Sequence, residues 1–127
     1  MNMFQSMLDL TALDHGAAAH YLGIRQRRIG RWVRDAEAPS GEALRRLAKL
    51  MDDQQIVADE ICDAWEAAGE PAQFSYGVSP DDASAQALGW PSRAAQLRAV
   101  AIAQMVLSGV KIEIIDAPGV AETAQAA

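Results

Sequence analysis

Residues 22–40 read LGIRQRRIGRWVRDAEAPS, and the order of small, apolar and cationic side chains in this stretch decides how the rest of the chain is read. Gly23 can take the positive φ that a tight turn needs without steric cost, so it marks the end of a helix and the start of a turn. Upstream, Ala17, Ala18, Ala19 and Leu22 form a short helix whose small side chains let a second helix cross closely. Downstream, Ile29, Trp32 and Val33 recur at i, i+3 and i+4, the apolar stripe of an amphipathic helix facing a core. With that stripe turned inward, Gln26, Arg27, Gly30, Arg31 and Arg34 fall on the outward face, and Arg25 and Arg28 flank it. Gly30 is read as removing bulk where a backbone could approach a ligand.

The outward face carries base-reading chemistry. An arginine fork matches the O6 and N7 acceptors of guanine in the major groove, and a glutamine amide matches N6 and N7 of adenine. Phosphate contacts, by contrast, fix register and supply salt-dependent affinity. Gln26, Arg27 and Arg31 are therefore expected to read bases, and Arg25, Arg28 and Arg34 to contact mainly phosphates. The plainer reading of such a run is a solvated helix face, often paired with acids. Positions 25–34 hold five arginines and no Asp or Glu, so like charges would repel unless a polyanion screened them, which favours nucleic acid.

The same stretch, extended to residues 15–51, resembles the helix-turn-helix of Cro/CI-type regulators through AAAHYLGI, IGRW and APSGEALRRLAKL. The resemblance implies that Gln26 and Arg27, at the start of the third helix, meet bases, with Arg31 one turn on and Ser40 or Arg45 near phosphates. The family commonly opens that helix with Ser or Thr where this chain has Arg25, which cannot accept a capping hydrogen bond, so a looser cap is expected. Together with a long following helix, a β-like segment around Phe74–Val78, Leu88-Gly89-Trp90 and an apolar helix beyond, the chain is also similar to the anti-CRISPR-associated repressors of phages and bacteria. That resemblance implies a dimer formed through the C-terminal half, autorepression at inverted repeats and, in some members, transcript binding.

With 127 residues, half of them hydrophobic, the chain can form one domain with a modest core, or two subdomains sharing one. A net charge of −6 argues against a polyanionic partner until its distribution is considered. Residues 23–49 carry eight cationic side chains against three acidic ones, a balance of +5, and the remainder carries −11. A basic patch on an acidic body favours docking in one orientation. The lone Cys62 cannot form an intrachain disulfide, and no stretch resembles a membrane span or signal peptide, so a cytoplasmic address is expected. Cys62 itself reads as a buried small hydrophobe.

The fold expected is mainly α: an N-terminal helix-turn-helix bundle (1–51), a long connecting helix and a small C-terminal α+β dimerisation part with two short strands (52–116), and a flexible tail (117–127). Ser40 caps a helix beginning near Gly41 and running to about Ala68, with Leu44, Leu47, Met51, Ala58, Ile61 and Trp65 as its apolar stripe and a break allowed at Asp52 and Asp53. Phe74, Tyr76 and Val78 alternate as in a half-buried strand, and Ser79-Pro80 is expected to cap a helix over 81–88. Val110–Ile115 is expected to pair with the first strand. Between them, AAQLRAVAIAQMVL (94–107) is apolar nearly all round and needs cover on several sides. A second copy is the expected source, through Leu97, Val100, Ala101, Met105 and Val106, in a two-fold dimer. Two recognition helices so related read a palindromic operator in double-stranded DNA.

Enzyme chemistry is not expected. His15 and His20 lie about 140° apart around a helix, no HExxH or CxxC pattern appears, and the acids of 52–70 read as a solvated face, so neither a metal nor another cofactor is implied. Two alternatives stay open: an antitoxin- or antiactivator-type module that captures a protein through DDQQIVADEICDAWEAAGE (52–70), and an RNA-binding regulator using the same arginines.

Overall fold

The computed structural model describes residues 2–116 and the backbone of 121–122. It divides into two compact units, Met1–Asp53 and Gln54–Ala127. The fold is mainly helical, with a small sheet in the second unit. Among the described residues no helix is long and apolar enough to cross a membrane.

Three short helices and the beginning of a long one build the first unit: α1 (Met3–Leu10), α2 (His15–Leu22), α3 (Gln26–Val33) and α4 (Gly41–Ala67), of which 41–53 belong here. Each start is set by a side-chain cap where one is available. Asn2 Oδ1 accepts from the Gln5 N–H at 2.9 Å, Asp14 Oδ1 from Ala17 at 2.7 Å, and Ser40 Oγ from Ala43 at 3.1 Å. α2 stops at Gly23, whose φ of 68° is the left-handed conformation expected of it. The helix α1 was not foreseen. Its Phe4 and Leu8 are buried, together with Leu13, Ala18, Leu22, Ile29, Trp32, Ala43, Leu47 and Leu50.

The stripe expected along α4 needs correction. Leu44 and Met51 are 37% and 42% exposed, whereas Ala43, Leu47, Leu50, Gln54, Ala58 and Ile61 are buried. Leu47, Ala58 and Ile61 of the expected stripe stand, but the buried row runs through Ala43, Leu50 and the amide of Gln54 in place of Leu44 and Met51, and an apolar pattern cannot anticipate a buried amide. No break occurs at Asp52 and Asp53.

In the second unit, 54–67 of α4 are followed by β1 (Gln73–Val78), α5 (Asp82–Ala87), α6 (Arg93–Val106), β2 (Lys111–Asp116) and β3 (Ala121–Glu122). The sheet order is β2-β1-β3; β1 and β2 pair, as the alternating patterns suggested, and do so in parallel, with Gln73 opposite Lys111 and Val78 opposite Asp116. β3 pairs antiparallel with β1, Tyr76 opposite Ala121. The reading of 117–127 as a tail is thus corrected at 121–122, and the rest of it lies outside the described residues. Asp81, not Ser79, caps α5, its carboxylate accepting from Ser84 N–H at 2.8 Å. Ser79 is instead buried, its N–H donating to Gln96 Oε1 at 3.0 Å and its carbonyl accepting from Arg93 Nε at 2.8 Å.

The core of this unit joins Ala58, Ile61, Phe74, Val78, Val100 and Ala103, with Cys62, Leu97 and Ile112 partly buried against it. α6 presents its polar side chains inward. Gln104 donates to the carbonyls of Leu107 and Val110 and accepts from Ile112 N–H, which ties the end of α6 to β2. Gln54 accepts from Arg98 at 2.9 Å and donates to the Ala95 carbonyl at 3.0 Å. Ala95, Ala99, Val100 and Ala103 are buried as well, and the apolar side chains left outward are few: Met105 is 73% and Val106 66% exposed. Val100, expected at a subunit seam, is only 4% exposed and belongs to the chain's own core.

Candidate nucleic-acid interface

The α2–α3 pair is fixed from behind. Ile29 is fully buried, and the Trp32 ring meets the edge of Phe4 with centroids 5.2 Å apart at 87°, an edge-to-face contact. Asn2 Nδ2 donates to the Trp32 carbonyl at 2.7 Å and to Asp35 Oδ1 at 2.9 Å, so the residue that opens α1 also closes α3. Asp35 has a φ of 62°, the left-handed conformation that asparagine and aspartate tolerate best after glycine. Tyr21 Oη donates to the Arg46 carbonyl at 3.0 Å, and the Arg46 guanidinium lies 5.1 Å from the Tyr21 ring centre. This ties α2 to the first turns of α4. Burial, opposed in part by the nearby Arg46 charge, pushes the Tyr21 hydroxyl above its ordinary value, so it stays a protonated donor at neutral pH.

With Ile29 and Trp32 inward, every arginine of the segment, 25, 27, 28, 31 and 34, is exposed, as is Gln26. Arg25 occupies the N-cap of α3 without a side-chain hydrogen bond, in line with its inability to accept one. A wide, open cleft is lined by Ala19, Gly23, Arg25, Arg27, Arg28 and Arg31. Gln26 leans toward the start of α2, its Oε1 3.8 Å from where a Cβ on Gly16 would stand. Over Gly30 the space is not empty: Arg34 Nη1 lies 3.1 Å from a would-be Cβ, so this glycine makes room for a folded-back arginine. Ser40 and Arg45 are exposed at the start of α4, with the Ser40 oxygen already engaged as the helix cap.

Positions 25–34 hold no acid, but one from beyond them relieves part of the expected repulsion. Glu37, beyond the end of α3, reaches back along it. Its Oε2 accepts from Arg28 Nε at 3.0 Å and Nη2 at 2.8 Å, and its Oε1 lies 3.5 Å from Arg31 Nε. The Arg28 guanidinium also sits 5.3 Å from the Trp32 ring centre, within cation–π range. The Arg28 hydrogen bond, foremost, holds the Glu37 carboxyl below its ordinary range. The buried Trp32 indole N–H, which makes no hydrogen bond of good geometry, also favours the carboxylate. Arg25, Arg27, Arg34 and Arg45 take part in no ion pair among the described residues. The sequence offered one signal for Glu37, an acid a few residues past a cationic helix, but a loop's return path cannot be read from spacing.

Elsewhere, His15 Nε2 lies 2.8 Å from Gln5 Oε1, and no three of His, Cys, Asp and Glu gather in a metal-holding group among the described residues. Cys62 is partly buried, and burial first, then the charges of Asp59, Asp63 and Glu66, pushes its thiol up, away from the reactive thiolate. Compared with models of known protein families and with curated proteins, the chain matches none.

Proposed function

We propose that this protein is a sequence-specific regulator of transcription that binds double-stranded DNA by laying α3 in the major groove. One observation carries the reading: an eight-residue helix, entered from a left-handed glycine, buries Ile29 and Trp32 and turns its arginines and Gln26 to solvent. Gln26, Arg27 and Arg31 are the base-reading candidates. Arg25, Arg34 and Arg45 are charges without acidic partners among the described residues and suit phosphates; Ser40, whose oxygen caps α4, still has a hydroxyl hydrogen to donate to one.

The protein works in this reading as a homodimer of Cro/CI-type architecture on an inverted repeat, and represses by occupying promoter DNA, its own included. The exposed Ala101, Met105 and Val106, with Leu97 at their margin, support self-association through α6. Two recognition helices related by a two-fold axis read half-sites about one helical turn, or a multiple of it, apart.

The test is selection from duplexes with a randomised core, followed by footprinting on the promoter upstream of the gene. A palindromic consensus protected at nanomolar protein supports the reading. Equal affinity for all duplexes, or preference for a structured transcript leader over duplex, refutes it.

A further inference from the structure

We propose that Glu37 and Trp32 together hold Arg28 as a third base-reading fork directed at a guanine edge, an assignment that rests on α3 being the recognition helix. Arg28 is fixed in two directions at once. One edge of its guanidinium, Nε and Nη2, is taken by Glu37 Oε2 at 3.0 and 2.8 Å, and one face lies over the Trp32 ring at 5.3 Å. Of the five N–H groups on an arginine, this leaves both on Nη1 and one on Nη2. Two of those, one on Nη1 and one on Nη2, form the end of the fork, the part that matches O6 and N7 of guanine.

The charge balance argues the same way. A phosphate contact gains by neutralising a free cation and releasing counterions. Arg28 has a carboxylate at 2.8 Å, shared with the more distant Arg31, so it brings less uncompensated charge to the backbone than an unpaired arginine does. What it keeps is direction. A guanidinium held on a carboxylate and a ring has already lost the side-chain freedom that an unsupported arginine must give up on binding, and planar, bidentate recognition is where such preorganisation counts. Arg31, one turn on, meets the other oxygen of the same carboxylate through Nε at 3.5 Å and likewise keeps its terminal edge. Glu37 is thus a positioning residue for two forks, and Arg28 moves from the phosphate set to the base-reading set.

The experiment compares the full-length wild type with R28K and E37Q in selections from duplexes carrying a randomised core, with thermal unfolding of each variant as the check on folding. Lysine keeps the charge but cannot form the fork. If Arg28 reads a base, R28K loses the preference for guanine at one position of each half-site by about ten- to hundredfold. E37Q then relaxes the same position while binding to random duplex is unchanged or tighter. If R28K and E37Q instead enrich the wild-type consensus undiminished, and only the salt dependence changes, Arg28 is a phosphate contact and the proposal is overturned. Failure of the unsubstituted protein to enrich any consensus overturns the recognition-helix reading itself, and that outcome is recognisable because it needs no variant.

Discussion

The side-chain amide of Asn2 donates to the backbone carbonyl of Trp32 at 2.7 Å, so a residue thirty positions upstream closes the helix that carries the arginines. Its Oδ1 meanwhile caps α1. One short side chain thereby serves the backbone at the ends of two helices, at Trp32 beside the Asp35 N–H that the same carbonyl accepts at 3.3 Å. Asn2→Ala is expected to lower stability by about 1–2 kcal/mol, the range for a lost helix cap. Chemical denaturation followed by circular dichroism measures this, and a change within error would mean that solvent replaces the amide at both ends.

Trp32→Ala removes the ring on which Phe4 and Arg28 both rest. The expected loss is about 3–5 kcal/mol, the usual cost of truncating a buried aromatic to alanine. The same variant is expected to weaken binding to every duplex, since it loosens the whole of α3. Retained stability in a denaturant titration would contradict the packing described.

Arg27→Ala is expected to reduce the preference for operator over random duplex by about 1–3 kcal/mol, the worth of a bidentate base contact. Arg31→Ala behaves alike. Arg25→Ala, at a proposed phosphate contact, is expected to weaken both targets similarly and flatten the salt dependence. Fluorescence anisotropy at several salt concentrations separates the two patterns, and equal losses on all sequences for all three variants would end this division of roles.

Glu37 releases its proton more readily in the folded chain than when unfolded, where its ordinary value of 4.5 applies. Its contribution to stability is therefore fully present at neutral pH and is lost as pH falls from 4.5 through the lowered folded value. Urea midpoints are expected to drop further on acidification for the wild type than for E37Q. Parallel acid profiles of the two proteins would show that the Arg28 contact contributes nothing to folding.

Met105→Glu or Val106→Glu places a charge on the exposed apolar surface of α6 and is expected to give a folded monomer by sedimentation equilibrium. Val100→Glu, inside the core of the second unit, is expected to unfold that unit instead. A dimer that persists in both surface variants would locate any self-association elsewhere.

Much of this architecture could be read from residue patterns, and the failures share a cause. α3 announced itself because Ile29 and Trp32 keep helical spacing beside a left-handed glycine, and β1 because Phe74 and Val78 alternate around polar neighbours. α1 was overlooked because eight residues with two buried apolar side chains and an asparagine cap make a weak local pattern. On α6, the reading of a helix apolar nearly all round gave no place to Gln96 and Gln104, which turn inward and bond to backbone groups of their own chain. Glu37 was missed because its partners are chosen by the loop's path, not by an interval along a helix.

The turn between α2 and α3 imposes a demand of handedness alone. Gly23 has a φ of 68°, yet nothing lies within 4 Å of the point where a side chain would begin. The mirror-image residue D-alanine fits that geometry without a clash, and by restricting the unfolded chain it should raise stability by about 0.4–1 kcal/mol. Its L counterpart, given the same empty space, meets a backbone penalty of about 1–2 kcal/mol. Chirality, not room, keeps this position achiral.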